Sequence, residues 1–477
     1  MVDWVPIPQL TNNLINQSTL HSDHDFPPKS VFFRMSLFDR LFRSGPENNP
    51  HPPVKFGRYS DTYKTQEQYD AWDEALQAFE NEEYLDSYRA FFRYLRDHEA
   101  QNVQLQDENG RIDFEILQGS KKVIGFASPA KLKAEAKVAS VQQLNIGFMR
   151  RLVEQNFDLK YSRYALDRQN DITIVFDTYS LDGSPYKLYY ALKEVATNAD
   201  KQDDLLIDEF QMLGQTDNSH LRDLPEQEKE VKYAFIQEQI GRTFERIDHS
   251  KLDANQYPGA IAYLLLDLCY KLDYLTKPEG YMMEALERIH RTYFAKDGRN
   301  TAQKNHTLRK EFQKLMERPK EQFFKEMYEV TSTFGITSPV NHDKVVSFID
   351  GELHNMDWYH EQKHYDIALS IPGYIVGYCL FNYAVPKPDR DLLHLYFQVT
   401  EPEYFQRLGF SAKYYDPASG ELNKRAIKKA IRYIVDENSV EFVGLNPAIG
   451  SLNFEGLAEF AKSYLLMIRN MEVAKAE

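Results

Sequence analysis

Apolar positions begin to recur at helical spacing from residue 67, where Trp72, Leu76 and Phe79 share a face. After a polar break at Asn81 the pattern resumes with Leu85, Tyr88, Phe92 and Leu95, which predicts a helix or a bent pair of helices. The period then drops to two over residues 112–116, 123–126 and 132–138. Asn109-Gly110 and Gly119-Ser120 punctuate these runs as the tight turns of an antiparallel meander would. Residues 141–155 place Leu144, Phe148, Leu152 and Val153 on one side of a predicted helix. Strands at 159–166 and 172–176 follow, joined by a turn over 167–171. Pro185 opens a further helix, with Leu188, Ala191, Leu192 and Val195 inward. Helices that separate groups of antiparallel strands define an α+β fold.

A polar linker over 215–224 leads into a helical stretch, with helices at 225–247, 258–274, 279–294, 301–317 and 320–333 broken at Pro258, Pro278, Gly298 and Pro319. The last part reads as mixed: a helix at 343–356, strands at 366–371, 374–383 and 392–399, a helix at 422–435, a strand at 440–445 and a helix at 454–471. The expected organisation is therefore a Pro-rich arm at 1–66, an α+β domain at 67–214, a helical middle domain at 225–334 and a second α+β domain at 336–477. Eight of the 21 prolines fall in the first 60 residues. Within that arm, residues 31–43 alternate Phe, Leu and Met with Arg34, Arg40 and Arg43, which predicts an amphipathic helix docked on the body of the protein or laid on an anionic membrane. Residues 367–386 carry no charge over the length of a membrane span. Pro372-Gly373, Asn382 and three tyrosines interrupt them, so two buried strands are expected there.

The 57 basic and 72 acidic residues leave a net charge of −15, which disfavours nucleic acid as a partner. With 42% of the 477 residues apolar there is material for sizeable cores. Cys269 and Cys379 form no CxxC pair, so a disulfide framework and a cysteine-built zinc site are both excluded and a reducing compartment is expected. Residues 1–10 lack a basic start and an apolar core, which points to the cytoplasm.

The run LNIGFMRRLVEQNFD at 144–158, with YALD at 164–167 and ITI at 172–174, resembles the YbjN-type family, which is similar in fold to type III secretion chaperones. The resemblance covers about 67–214. It implies a chaperone-like antiparallel sheet with helices, and a non-enzymatic module that binds a protein or peptide segment. The chaperones it resembles are small dimers, so a second copy of this chain is one expected partner. The chain departs from them by continuing to residue 477, and no catalytic residue or cofactor carries over.

The sharpest chemical motif is His360-Glu361-Gln362-Lys363-His364, the HExxH form in which two imidazoles one helical turn apart hold zinc and the Glu acts as base. Against it stand Lys363 beside the metal, an expected strand immediately after His364, and the absence of a nearby third ligand. A zinc hydrolase built on His360, Glu361 and His364 is thus the alternative reading, with His342, Asp343, His354, Asp357 and Asp366 as polar neighbours. The acidic run Asp203, Asp204, Asp208 and Glu209 could receive a basic segment. Gly444, Gly450 and Gly456 match no nucleotide loop, and no GxSxG elbow is present.

Overall fold

The computed structural model describes residues 52–141, 145–210, 212–216, 219–249 and 256–476; the amphipathic stretch at 31–43 lies outside them. The fold is α+β. Helices α1 (Gln66–Glu80) and α2 (Tyr84–Leu95) form the expected pair, and Thr65 opens α1 with a reciprocal capping box to Gln68. Strands β1 (Val103–Glu108), β2 (Arg111–Gln118), β3 (Lys121–Ala127), β4 (Lys131–Val141), β5 (Arg163–Leu166), β6 (Ile172–Tyr179) and β7 (Leu213–Gly214) make one antiparallel sheet. Its order is β1-β2-β3-β4-β6-β5, with β7 paired to β4. Between β4 and β5 lies α3 (Ile146–Gln155), and after β6 comes α4 (Pro185–Glu209). Alternation buries Ile112, Phe114 and Ile116 on one face, together with Leu132, Ala134 and Ala136. There α4 packs closely, because Ala191, Ala196 and Ala199 meet the small residues of β4.

Three expectations shift in this module. Strand β1 is additional; it pairs with β2 across Asn109-Gly110, whose φ angles of 54° and 76° form the mirror-image turn that matches strand twist. Helix α3 starts at Ile146 and not at 141, since β4 runs on to Val141 and the Asn145 side chain accepts the Gly147 N–H at 2.6 Å. The strand expected over 159–166 shortens to β5, because the N–H groups of Lys160, Tyr161 and Ser162 donate to the Glu194 carboxylate at 2.8–2.9 Å and not to a neighbouring strand. Burial of Glu194 works the other way, yet those donors hold its carboxyl below the usual range.

Downstream, α5 (Glu226–His249), α6 (Pro258–Thr276), α7 (Gly280–Phe294), α8 (Thr301–Glu317) and α9 (Lys320–Lys325) follow the predicted spacing, except that α9 is short. The chain beyond it leaves the helical body to complete the N-terminal module. Thr331 bridges to Gly119, Thr333 and Phe334 donate their N–H groups to the Gln118 side chain, and Phe334 enters the sheet's core.

The C-terminal part departs most from expectation. After α10 (His342–Glu352) and α11 (Asn355–Glu361), the segments expected as strands at 366–371 and 374–383 form one helix, α12 (Tyr365–Asn382), which carries Pro372 inside it. The strand expected at 392–399 is likewise helical, in α13 (Lys387–Thr400), which leads into α14 (Pro402–Arg407). Past α15 (Lys424–Asn438) the strand expected at 440–445 shrinks to Phe442–Val443, and α16 (Leu457–Arg469) closes the chain. The strands of this part are two-residue pairs, so it is a helical assembly and not a second sheet. Gly373 and Gly377, one turn apart, let α12 lie against α6. A Cβ at Gly377 would stand 2.5 Å from that of Tyr270, and one at Gly373 would overlap the Asp267 carboxylate. Thirteen of the 18 residues of α12 are buried, and its exposed residues, Tyr365 and Asp366, are the first two. Among the described residues no helix is long and apolar enough to cross a membrane. A single apolar core runs from Val231 to Met471, so the expected division near 335 does not divide the packing.

Residues 52–65 form an extended strap across both parts. Gly57, at φ 68°, donates to the Tyr274 carbonyl at 2.8 Å, and its missing Cβ makes room for that ring. Arg58 binds Asp273 and Glu287 of the helical body, while Asp61 accepts from Tyr189 on α4.

Candidate interaction surface

The zinc alternative depends on one continuous helix, and the chain does not provide it. Helix α11 ends at Glu361, Lys363 turns to the left-handed region at φ 62°, and His364 lies outside, capping α12. His360 Nε2 sits 3.2 Å from Glu459 on α16, whereas the His364 ring faces Trp358. The two imidazoles therefore do not project one turn apart from a single helix, and Glu361 is not held between them. The polar neighbours are engaged separately. His342 is buried against Asp389 at 2.9 Å, Asp357 pairs with Lys462, Asp366 stands 3.7 Å from Arg246, and His354 Nδ1 is 3.4 Å from the Asp350 carbonyl. Among the described residues no group of three or more His, Cys, Asp or Glu is placed to hold a metal. Cys269 and Cys379 are free, and burial pushes both thiols up.

The N-terminal module presents a different feature. Helix α3 is apolar on two sides. Leu152 is buried and Met149 packs on the sheet's core, as an amphipathic helix requires. Away from that buried face Ile146, Val153 and, just past the helix's end, Phe157 are 88%, 59% and 89% exposed. Ile146 and Val153, seven positions apart, fall on one line of α3, and Phe157 follows two residues past its end, so these side chains make an exposed apolar stripe, with Arg150 beside it bonded to Glu154 at 2.8 Å. No described residue covers the stripe. Burying such side chains is worth about 1.5–3 kcal/mol each, so leaving three of them in water forgoes several kcal/mol of stabilisation.

The sequence placed Val153 inward with Leu152; the structure turns it outward. Ile146 and Phe157 belong to the run that carries the family resemblance, but the sequence assigned them to neither side of the helix. Local spacing carried no signal for their exposure: Ile146, Met149 and Val153 lie within about 60° of one another around the helix and Phe157 falls past its end, so the pattern does not separate the inward side from the outward.

A second apolar patch lies where β6 passes into α4. Tyr179, Leu181, Tyr186 and Tyr190 are exposed there, and Trp72 of α1 meets Tyr186 edge-on with ring centroids 5.1 Å apart. The uncovered face of the sheet is more polar. Phe126 lies under the Arg111 guanidinium at 4.1 Å, beside exposed Ile124, and ion pairs such as Arg163–Asp177 cover much of the rest. The acidic run at 203–209 belongs to the last turns of α4, where Leu206 is buried.

Compared with models of known protein families and with curated proteins, the chain matches none.

Proposed function

We propose that this chain is a non-enzymatic, chaperone-like interaction protein of the cytoplasm, whose N-terminal module docks a protein or peptide segment on the outer stripe of α3. The observation that carries the reading is the solvent exposure of Ile146 and Val153 along α3 and of Phe157 just past its end, beside a face that is already packed. Contiguous apolar surface of this kind marks protein interaction sites. The aromatic patch at Tyr179, Leu181, Tyr186 and Tyr190 offers large contact area at low conformational cost and extends the surface available to a partner. The order of helices and strands in the module is compatible with the resemblance to secretion chaperones, with β1 as an extra edge strand. The dispersal of His360, Glu361 and His364 weighs against the hydrolase alternative.

The test uses the full chain, because Phe334 is part of the module's core. Sedimentation velocity over a concentration series first measures self-association. A photo-crosslinking residue at Val153 then maps what touches the stripe, in the pure protein and in its native lysate. The expected result is a defined adduct, with the second copy or with one recurring protein, that disappears when Ile146, Val153 and Phe157 are all changed to Ser while the melting curve stays unchanged. A monomer with no recurring adduct would refute the reading.

A further inference from the structure

Lysines of the helical body that give up their water gain a carboxylate in exchange. Lys229 donates to Asp223 at 3.0 Å, Lys232 lies 2.8 Å from Glu228 and Lys271 lies 2.8 Å from Glu401. Lys277, the residue after α6, departs from that pattern. It is part-buried, yet its ammonium makes no hydrogen bond or ion pair with any described residue and is not sealed from solvent. The end of the helix does not occupy it either, because the carbonyls of Asp273, Tyr274 and Leu275 accept from the Lys277 N–H, the Gly57 N–H and the Tyr404 hydroxyl. The Lys277 backbone is left-handed, at φ 47°, where glycine would sit without strain. A lysine is thus held at a position that disfavours it, with its charge unused by the fold.

That side chain lines a cavity of about 280 Å³ bounded by the strap, the residues that lead into α5, the start of α7 and the chain that leaves α9. Lys55 and Arg222 line it too, both exposed and neither paired with a carboxylate among the described residues. Lys55 and Lys277 also line a larger hollow along the strap, so both border open volume. Three carboxylates of the lining are engaged: Asp223 by Lys229, Glu228 by Lys232 and Glu326 by Arg318. Glu279 and Glu329 oppose the three cations Lys55, Arg222 and Lys277, which leaves the lining one negative charge short. Burial, with the charges of Lys55 and Lys232, holds the Lys277 ammonium below the usual lysine range, while Glu279 and Glu329 pull the other way. A lysine that starts near 10.4 stays charged at pH 7 through a fall of about three pH units, and an anion seated beside it restores what burial takes away. The remaining wall is apolar, with Leu224, Pro225, Pro278 and Met327 all keeping accessible surface.

We propose that this cavity binds an organic carboxylate with a short apolar tail, of the fatty-acid type, its carboxylate between Lys277 and Lys55 and its tail along Leu224, Pro278 and Met327. The volume stands at the lower end of ligand cavities, which limits the tail to a medium chain. The site is separate from the stripe on α3 and does not depend on it.

Calorimetric titration of the full chain with sodium octanoate, kept below the concentration at which it forms micelles, tests it. Octanoate should bind with a Kd below about 1 mM. Octanamide, which has lost the charge, and acetate, which has lost the tail, should each bind at least about tenfold more weakly. Lys277→Gly keeps the left-handed backbone without strain, so it should melt no lower than wild type while weakening octanoate binding by about tenfold or more. Lys277→Gln, which keeps the length and loses the charge, should weaken binding equally and decides the matter if the glycine variant does not fold. Changing Ile146, Val153 and Phe157 together to Ser should leave octanoate binding unchanged, which separates the cavity from the stripe on α3. The proposal is overturned by no binding up to about 10 mM octanoate, by equal affinity for octanamide, by wild-type affinity in the Lys277 variants, or by loss of binding in the triple Ser variant.

Discussion

Replacing Arg58 with Met should destabilise the protein by about 4 kcal/mol at neutral pH, and by much less in mild acid. Arg58 sits on the strap and reaches into the helical body, where Nη2 and Nε donate to Asp273 at 2.8 and 3.0 Å and Nη1 donates to Glu287 at 3.2 Å. Its guanidinium also lies 3.8 Å from the Phe381 ring centroid. Glu287 keeps Lys201 and Arg291 when Arg58 is gone, but Asp273, whose side chain is 3% exposed, has no other cation within ion-pair distance among the described residues. Burial already raises its carboxyl with Arg58 present, so without the guanidinium Asp273 must take up a proton to remain buried. Neutralising a carboxyl of ordinary pKa near 3.9 at pH 7 costs about 1.4 kcal/mol for each of roughly three pH units, hence about 4 kcal/mol, within the range for breaking a buried pair. The sign follows from linkage. A carboxyl whose folded pKa is raised contributes stability below its unfolded pKa and loses it as pH rises, so the penalty should shrink to about 1.5 kcal/mol at pH 5. Urea unfolding followed by far-ultraviolet circular dichroism at pH 5 and 7 measures both values. Removing both partners, as in Arg58→Met with Asp273→Leu, should recover most of the loss. A penalty below about 1 kcal/mol at pH 7, or one that does not change with pH, would show that this ion pair does not hold the strap.

The other expectations concern packing and protonation. Phe157→Ser should alter unfolding stability by less than about 0.5 kcal/mol, whereas Leu152→Ala on the buried face of α3 should cost about 2–5 kcal/mol; equal effects would mean that the outer stripe is covered. Gly377→Ala should destabilise by about 1–3 kcal/mol, because the new methyl meets the Tyr270 Cβ at 2.5 Å and two helices must part; a neutral result in a urea titration would contradict the close packing of α12 on α6. His290 is held down to about 4 by burial and by the nearby Arg58 charge, and its Nδ1 contacts the Tyr270 hydroxyl at 2.8 Å. Its unfolded form protonates first, so stability is full above about pH 6.5 and falls as pH drops toward 4, by about 2 kcal/mol once partial solvent screening is allowed for. His290→Gln should flatten that part of the pH–stability curve, and an unchanged slope would assign the acid sensitivity elsewhere.

Period two was readable between residues 112 and 176 because the sheet has one face under α4 and one in water, so each strand alternates. The same pattern hid β1, whose outer half is polar Asp107-Glu108. Asn109-Gly110 was the better signal, since a turn with both central φ angles positive needs a strand on each side. Helix α12 could not be recognised from periodicity. Buried on all sides, it has no polar face to mark a 3.6-residue repeat, and its Ile and Val residues around Pro372-Gly373 imitate two strands and a turn. That Gly373 and Gly377 serve contact with α6 is information held in the tertiary structure alone. The HExxH spacing was plain in the sequence, but the left-handed turn at Lys363 that parts its histidines was not. The Lys55, Arg222 and Lys277 grouping joins the strap to chain more than a hundred positions away, and no local pattern announces it.

The passage of Thr331, Thr333 and Phe334 into the N-terminal module sets an order on biosynthesis. The sheet can be threaded as soon as β7 has left the ribosome, but Gln118 and the hollow that Phe334 fills must wait for chain made much later. Vectorial synthesis thus leaves the first module unsealed while α5 to α9 are still being made, and its last piece arrives tethered to the next body. The two halves are accordingly poor candidates for independent shuffling by gene fusion: a transplanted N-terminal half would lack its own plug.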